Sequence, residues 1–207
     1  MNKPFSQACE NNKRPILKHL AGIFANKKQV LEIGSGTGQH ASYFGEHLPN
    51  LIWQTSDLLE NHQGINLWLD EAACPNVLRP IVIDLNKPWH IPQENFPLDG
   101  LYTANTLHII SRPLVVKFFE AIKDNLTSSA TVCIYGPFNY HGKFTSDSNA
   151  NFDLWLKDRD SQSGIRNIED IISLANAAGL NLVDDHAMPP IIVFWFLQKY
   201  KYLFYPR

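Results

Sequence analysis

Val30-Leu31-Glu32-Ile33-Gly34-Ser35-Gly36-Thr37-Gly38 joins an apolar run to a turn holding three glycines, and an amphipathic stretch reaching His47 follows. That order reads as strand, turn and helix. Glycine has no Cβ, so the chain can turn sharply and lay its backbone against a ligand. The turn sets N–H groups at a helix start, beside the carboxyl edge of a sheet. About 20 residues further on, Asp57 ends the next apolar run, where a carboxylate can accept hydrogen bonds from both ribose hydroxyls. Either feature alone is a tight turn or a surface Asp. Together they specify a site for a nucleoside.

The spacing narrows which nucleoside. A dinucleotide fingerprint requires Gly or Ala at the third position of G-x-G-x-x-G, and Gln39 stands there. Glu32, two residues before the first glycine, is unwelcome beside a pyrophosphate and suits a ligand carrying a sulfonium or an amino group. No Gly-Lys-Ser/Thr follows, which excludes a P-loop.

Outward from this unit, short apolar runs alternate with amphipathic stretches, the pattern of a parallel sheet covered by helices. An opening helix shows at Ile16, Leu17, Leu20, Ile23 and Phe24, with Pro15 suited to its first turn. Strands are expected at Gln29 to Ile33, Ile52 to Ser56, Pro80 to Leu85, Leu101 to Ala104 and Ala130 to Tyr135. Helices are expected at Thr37 to His47, Asn61 to Ala73, Arg112 to Asn125 and after Asn167, a capping residue. Leu180 to Ala187 and Ile191 to Leu197 read as two strands; so short a link permits only an antiparallel pair. Phe138 to Gly164 breaks the alternation. It is polar and aromatic, with a short helix around Phe152, Trp155 and Leu156 capped by Ser148, and long insertions of this kind often serve as lids.

The 207 residues favour a single domain, 1–207, with 1–25 and 138–164 as covering segments. Apolar residues at 44% and charged residues at 18% are those of an ordinary globular chain. A net charge of -2 gives no electrostatic reason to expect nucleic-acid or anionic-membrane binding. Cys9, Cys74 and Cys133 are too sparse for a disulfide framework or a zinc site. The N-terminal stretch lacks the apolar centre of a signal peptide, and Ile191 to Leu197 falls far short of the roughly 20 residues of a membrane span. The expected location is the cytoplasm; oligomeric state is left open.

Glu32 to Gly38 resembles the first motif of class I S-adenosylmethionine-dependent methyltransferases. The resemblance implies a three-layer, Rossmann-like α/β sandwich with a seven-stranded, mostly parallel sheet and an antiparallel last strand. It implies that S-adenosylmethionine is held by Glu32, Gly34, Ser35, Gly36 and Gly38, by Asp57 at the ribose, by Asp84 and Leu85 near the adenine, and by Ala104 and Asn105 at the methionine end. Nearly the whole chain is similar to one branch, domain of unknown function 938, also called the methyltransferase-like 26 group. Its marks are Phe5-Ser6, Glu10-Asn11-Asn12-Lys13, Asn105 with His108, Gly136-Pro137-Phe138-Asn139, Gly142-Lys143-Phe144-Thr145, Asn151-Phe152-Asp153 and Gly164-Ile165-Arg166. Met188-Pro189-Pro190-Ile191-Ile192 departs from the branch, where polar Asn residues follow the Pro pair.

On this placement His108 and Asn105 are the candidate catalytic residues, since His accepts protons near neutral pH. Tyr140, His141 and Arg166 are candidates for binding the acceptor, expected to be a small molecule. His40 and His47 lack a third metal ligand and read as surface, so no metal is expected. Two other functions compete: a non-catalytic S-adenosylmethionine-binding protein, and a nicotinamide-dependent oxidoreductase, against which Gln39 stands.

Overall fold

The computed structural model of the chain describes residues 2–92, 97–188 and 192–199. Its elements are α1 (Gln7–Ile23), β1 (Gln29–Ile33), α2 (Gln39–His47), β2 (Ile52–Asp57), α3 (His62–Ala72), β3 (Val77–Val82), β4 (Gly100–Ala104), α4 (Arg112–Asn125), β5 (Thr131–Gly136), β6 (Phe138–Asn139), α5 (Asp147–Arg159), β7 (Arg166–Asn167), α6 (Ile168–Ala177), β8 (Leu180–Met188) and β9 (Ile192–Lys199). The main sheet has the order β3-β2-β1-β4-β5-β9-β8. Its body, β3 to β5, is parallel, and β9 and β8 add an antiparallel pair beside β5. Winding reverses between β1 and β4, so a crevice opens at the carboxyl ends of those two strands.

The pleat explains the core. In β1 every residue is buried, as in a parallel strand covered on both faces. Val30 joins Ile16, Leu20, Phe44 and Trp53 under α1, α2 and α3, whereas Leu31 and Ile33 join Phe118, Ile122 and Ile171 under α4 and α6. Each such side chain stabilises by about 1.5–3 kcal/mol on burial. Phe44 meets Trp53 and Tyr102 at 5.5 Å, the Tyr102 ring edge-on at 90°.

Several boundaries differ from expectation. The opening helix starts at Gln7, capped by Ser6, whose Oγ accepts the Cys9 N–H at 3.3 Å. Pro15 therefore lies inside the helix, where it removes one backbone bond; burial of Asn12, Ile16 and Leu20 holds the helix across that gap. β3 starts at Val77 and stops at Val82, leaving Asp84 two residues beyond it. α5 is capped by Ser146, not Ser148. Asn167 sits at the start of α6 without a side-chain capping bond. The link at Pro189 to Ile191, with its departure from the branch pattern, lies outside the described residues. Among the described residues no helix is long and apolar enough to cross a membrane.

Candidate active site

The glycine turn leaves β1 with positive φ at Gly34 (72°), Gly36 (57°) and Gly38 (88°). At Gly38 the reason is packing: a Cβ there would lie 3.0 Å from the Ile65 Cα. Hydrogen bonds lace the turn to the end of β2. Ser35 N–H donates to the Ser56 carbonyl at 2.9 Å, and Gly36 N–H donates to Asp57 Oδ2 at 2.7 Å. Asp57 Oδ1 also takes the Leu58 N–H and the Asn61 amide, each at 2.7 Å. Asp57 is thus fixed with its carboxylate beside the glycine backbone.

Gly34, Ser35, Gly36, Asp57, Asp84, Leu85, Ala104, Asn105 and His108 line one cavity of ≈ 1160 Å³ at the carboxyl edge of the sheet. Asp84 is held by the Asn86 N–H at 2.9 Å and the Lys87 ammonium at 3.1 Å, which keep its carboxyl below the usual range. Gly38 and Glu32 are absent from that lining. The pleat points Glu32 under the turn, where it is only 2% exposed and its Oε2 accepts Ser35 Oγ–H at 2.9 Å and Trp53 Nε1–H at 3.1 Å. Burial raises its pKa to about 7, the two hydrogen bonds working against that rise. Glu32 therefore braces the turn from behind and does not wall the cavity.

Beyond β4 the chain bends through Asn105, at φ 56°, whose N–H donates to the Tyr135 carbonyl at 2.8 Å. His108 is 4% exposed, its ring edge-on to Phe152 at 5.4 Å and 71°. Burial, with the nearby Arg166 charge second, lowers its pKa to about 4, so the ring is neutral at physiological pH. Four consecutive carbonyls of this loop are tied to one strap. Arg166 Nε–H donates to Leu107 O at 3.0 Å, Gly164 N–H to His108 O at 2.8 Å, Ser163 Oγ–H to Ile109 O at 2.5 Å, and Arg166 Nη2–H to Ile110 O.

The three candidates for acceptor binding belong elsewhere. Arg166 spends its guanidinium on those backbone carbonyls. The His141 ring is exposed and paired with Glu169 at 3.3 Å. Tyr140 exchanges backbone hydrogen bonds with Lys143 in a tight turn and packs against the core. None of the three lines the cavity. Tyr140 and His141 follow β6 in the chain, and Arg166 opens β7, paired with Phe138 at the base of the 138–164 segment.

Two further parts of the wall come from the N-terminal segment, read from the sequence as a cover, and from His40, read as surface. The first turns of α1 line the cavity through Ser6, Cys9 and Asn12. Gln39 clasps them: its Oε1 accepts the Ser6 N–H at 2.5 Å and its Nε2 donates to the Ser6 carbonyl at 3.3 Å. His40 also lines the cavity and is buried, not on the surface. Its ring bonds to Asn12 Oδ1 at 2.6 Å and to Tyr102 Oη at 3.2 Å, and burial lowers its pKa to about 4. These partners lie 28 and 62 residues away, beyond any local pattern. Among the described residues no group of three His, Cys, Asp or Glu could hold a metal ion.

The architecture, a mostly parallel α/β sheet of Rossmann-like form, is shared with solved methyltransferases. An O-methyltransferase family protein from Burkholderia thailandensis superposes with a TM-score of 0.76 at 14% identity, over 94% of this chain and 58% of that one. Human N-acetylserotonin methyltransferase in complex with SAM gives 0.77 at 14%, over 94% and 53%. The chain thus spans a little over half the length of these proteins. Its sequence matches, over residues 3–198, the family described as Protein of unknown function (DUF938), and the chain belongs to that family.

Proposed function

We propose that this protein is an S-adenosylmethionine-dependent methyltransferase of the methyltransferase-like 26 type, acting on a small-molecule acceptor in the cytoplasm. The observation that carries this is a G-x-G-x-G turn at the sheet's switch point, laced to Asp57 and opening into a cavity that continues past β4 to His108. The cavity, at ≈ 1160 Å³, exceeds the roughly 300–1,000 Å³ of a single small-molecule pocket, room for a donor and an acceptor side by side. The residues fit the donor. A Cβ at Gly36 would meet nothing closer than 4.0 Å, so its backbone stands open to a ligand. Asp57 offers its carboxylate beside it for ribose hydroxyls. The antiparallel pair that ends the seven-stranded sheet accords with the class, as do the solved structures sharing the fold.

The donor supplies an electrophilic methyl group; the protein aligns it with a nucleophile. Asn105 and neutral His108 line the far side of the turn. A neutral imidazole keeps a lone pair with which to accept a hydrogen bond, or a proton from an acidic acceptor. Helix α5 and the first turns of α1 cover the cavity as lids over the reacting groups.

Calorimetry with S-adenosylhomocysteine and with a nicotinamide dinucleotide decides between donor classes; tight binding of the dinucleotide alone overturns the proposal. Transfer of labelled methyl from S-adenosylmethionine into a cell extract separates an enzyme from a non-catalytic binder.

A further inference from the structure

Helix α5 presents a stripe of six residues to the cavity: Ser148, Asn149, Phe152, Trp155, Leu156 and Arg159. Their spacing puts them on one helical face. A helix sealing its own core would bury the aromatics of that face. Here Trp155 remains 50% exposed, while Leu154, on another face, is 66% exposed. Asn149 and Leu156 seat the helix, being buried, while Trp155 leaves a half-exposed ring facing the cavity.

Its rings are ordered from floor to rim. His108 meets Phe152 edge-on at 5.4 Å, Phe152 stacks on Trp155 at 5.7 Å and 18°, and the Arg159 guanidinium lies 4.7 Å over the Trp155 ring. Arg159 is the one Lys or Arg among the described residues lining the cavity, and it makes no salt bridge among the described residues. The neighbouring Asp160 has an oxygen occupied by the Gln162 N–H at 2.9 Å. A half-exposed aromatic slab ending in a guanidinium with no carboxylate partner among the described residues suits a flat ring carrying a carboxylate.

We infer that the acceptor is a planar aromatic acid, its ring against Phe152 and Trp155, its carboxylate at Arg159 and its nucleophilic hydroxyl at the His108 end. This rests on the methyltransferase reading. In the transfer the hydroxyl oxygen's lone pair forms the new bond to the methyl carbon, and the carbon–sulfur bond breaks with its electron pair staying on sulfur. The hydroxyl proton passes to the neutral His108 ring or to water.

The test uses 6-hydroxy-2-naphthoate, whose hydroxyl and carboxylate stand at opposite ends of the fused rings, and its methyl ester as probes, titrated into the full chain with S-adenosylhomocysteine present. Quenching of tryptophan fluorescence and calorimetry are the readouts. The acid should bind about tenfold tighter than the ester. Arg159→Gln, an exposed substitution, should bring the two to equal affinity, and Trp155→Ala should weaken both. Equal affinities in the unaltered protein, or a ratio unchanged in Arg159→Gln, overturn the carboxylate site. A protein that binds S-adenosylhomocysteine but neither naphthoate overturns the acceptor class alone. Failure to bind S-adenosylhomocysteine overturns the donor reading beneath it.

Discussion

Gly36 and Gly38 share one turn, yet alanine at each should fail for a different reason. Both have positive φ, at 57° and 88°, and a non-glycine residue there carries strain of about 1–2 kcal/mol. At Gly36 nothing further is added, because the new Cβ meets no atom closer than 4.0 Å. At Gly38 the Cβ would sit 3.0 Å from Ile65 Cα, 3.1 Å from Ile65 O and 3.2 Å from Trp68 Cβ. Two of those atoms are backbone in α3, so relief requires moving a helix, an overpacking penalty of about 1–3 kcal/mol. Gly38→Ala should therefore lose about 2–5 kcal/mol in all. At roughly 2–4 °C per kcal/mol for a chain of this size, that is roughly 4–20 °C in Tm. Gly36→Ala should lose roughly 2–8 °C, but its methyl projects toward the cavity and should weaken S-adenosylhomocysteine at least tenfold. Thermal scans and calorimetry on the two variants check both halves. Equal Tm losses, or wild-type affinity in Gly36→Ala, would refute the division between a glycine kept for packing and one kept for a ligand.

Asp57→Ala removes charge-assisted hydrogen bonds to ribose and should weaken donor binding by about 1.5–3 kcal/mol, read by calorimetry on the folded variant. Glu32 has a folded pKa of about 7, above the ordinary 4.5, so the native state holds its proton more tightly. Stability should then be retained at low pH and decline as pH rises from about 4.5 through 7. Glu32→Gln should flatten that decline in Tm measured between pH 5 and 8, and an unchanged slope would argue against it. His108 should stay neutral by NMR titration down to about pH 4. Arg166→Gln should raise that pKa by removing a neighbouring charge, and a midpoint that does not move would show that burial alone sets it.

What the sequence discloses follows from how local the signal is. The glycine turn and Asp57 are legible because spacing along the chain fixes them at adjoining strand ends. β3 starts earlier than its apolar pattern indicates because it is an edge strand: only Val77 of its six residues is buried, so the pattern is weak. The first turns of α1 face a cavity and solvent and need no apolar stripe, so the sequence marks the segment as a cover without telling which of its side chains, Ser6, Cys9 and Asn12 among them, face the cavity. His40 reads as surface in the sequence because its polar partners come from α1 and β4, brought together only by the fold. Arg166 looked like a ligand-binding cation. Its actual targets are main-chain carbonyls, which leave no trace in side-chain identity.

Gln39 has a consequence beyond the fingerprint it breaks. In a dinucleotide site a small residue there lets helix and strand pack closely. Here the same position carries a carboxamide that reaches out and takes both the N–H and the C=O of Ser6. One side chain thus bears on two properties that could otherwise vary separately: which nucleotide the turn admits, and how the segment walling the trough is clasped at Ser6. Glycine at this position would restore the fingerprint but remove the clasp on Ser6. The N-terminal bank of the trough would then rest on its other ties, Asn12 to His40 and the Pro4 carbonyl to the Trp68 indole, so admitting a different nucleotide and loosening the wall would arrive together.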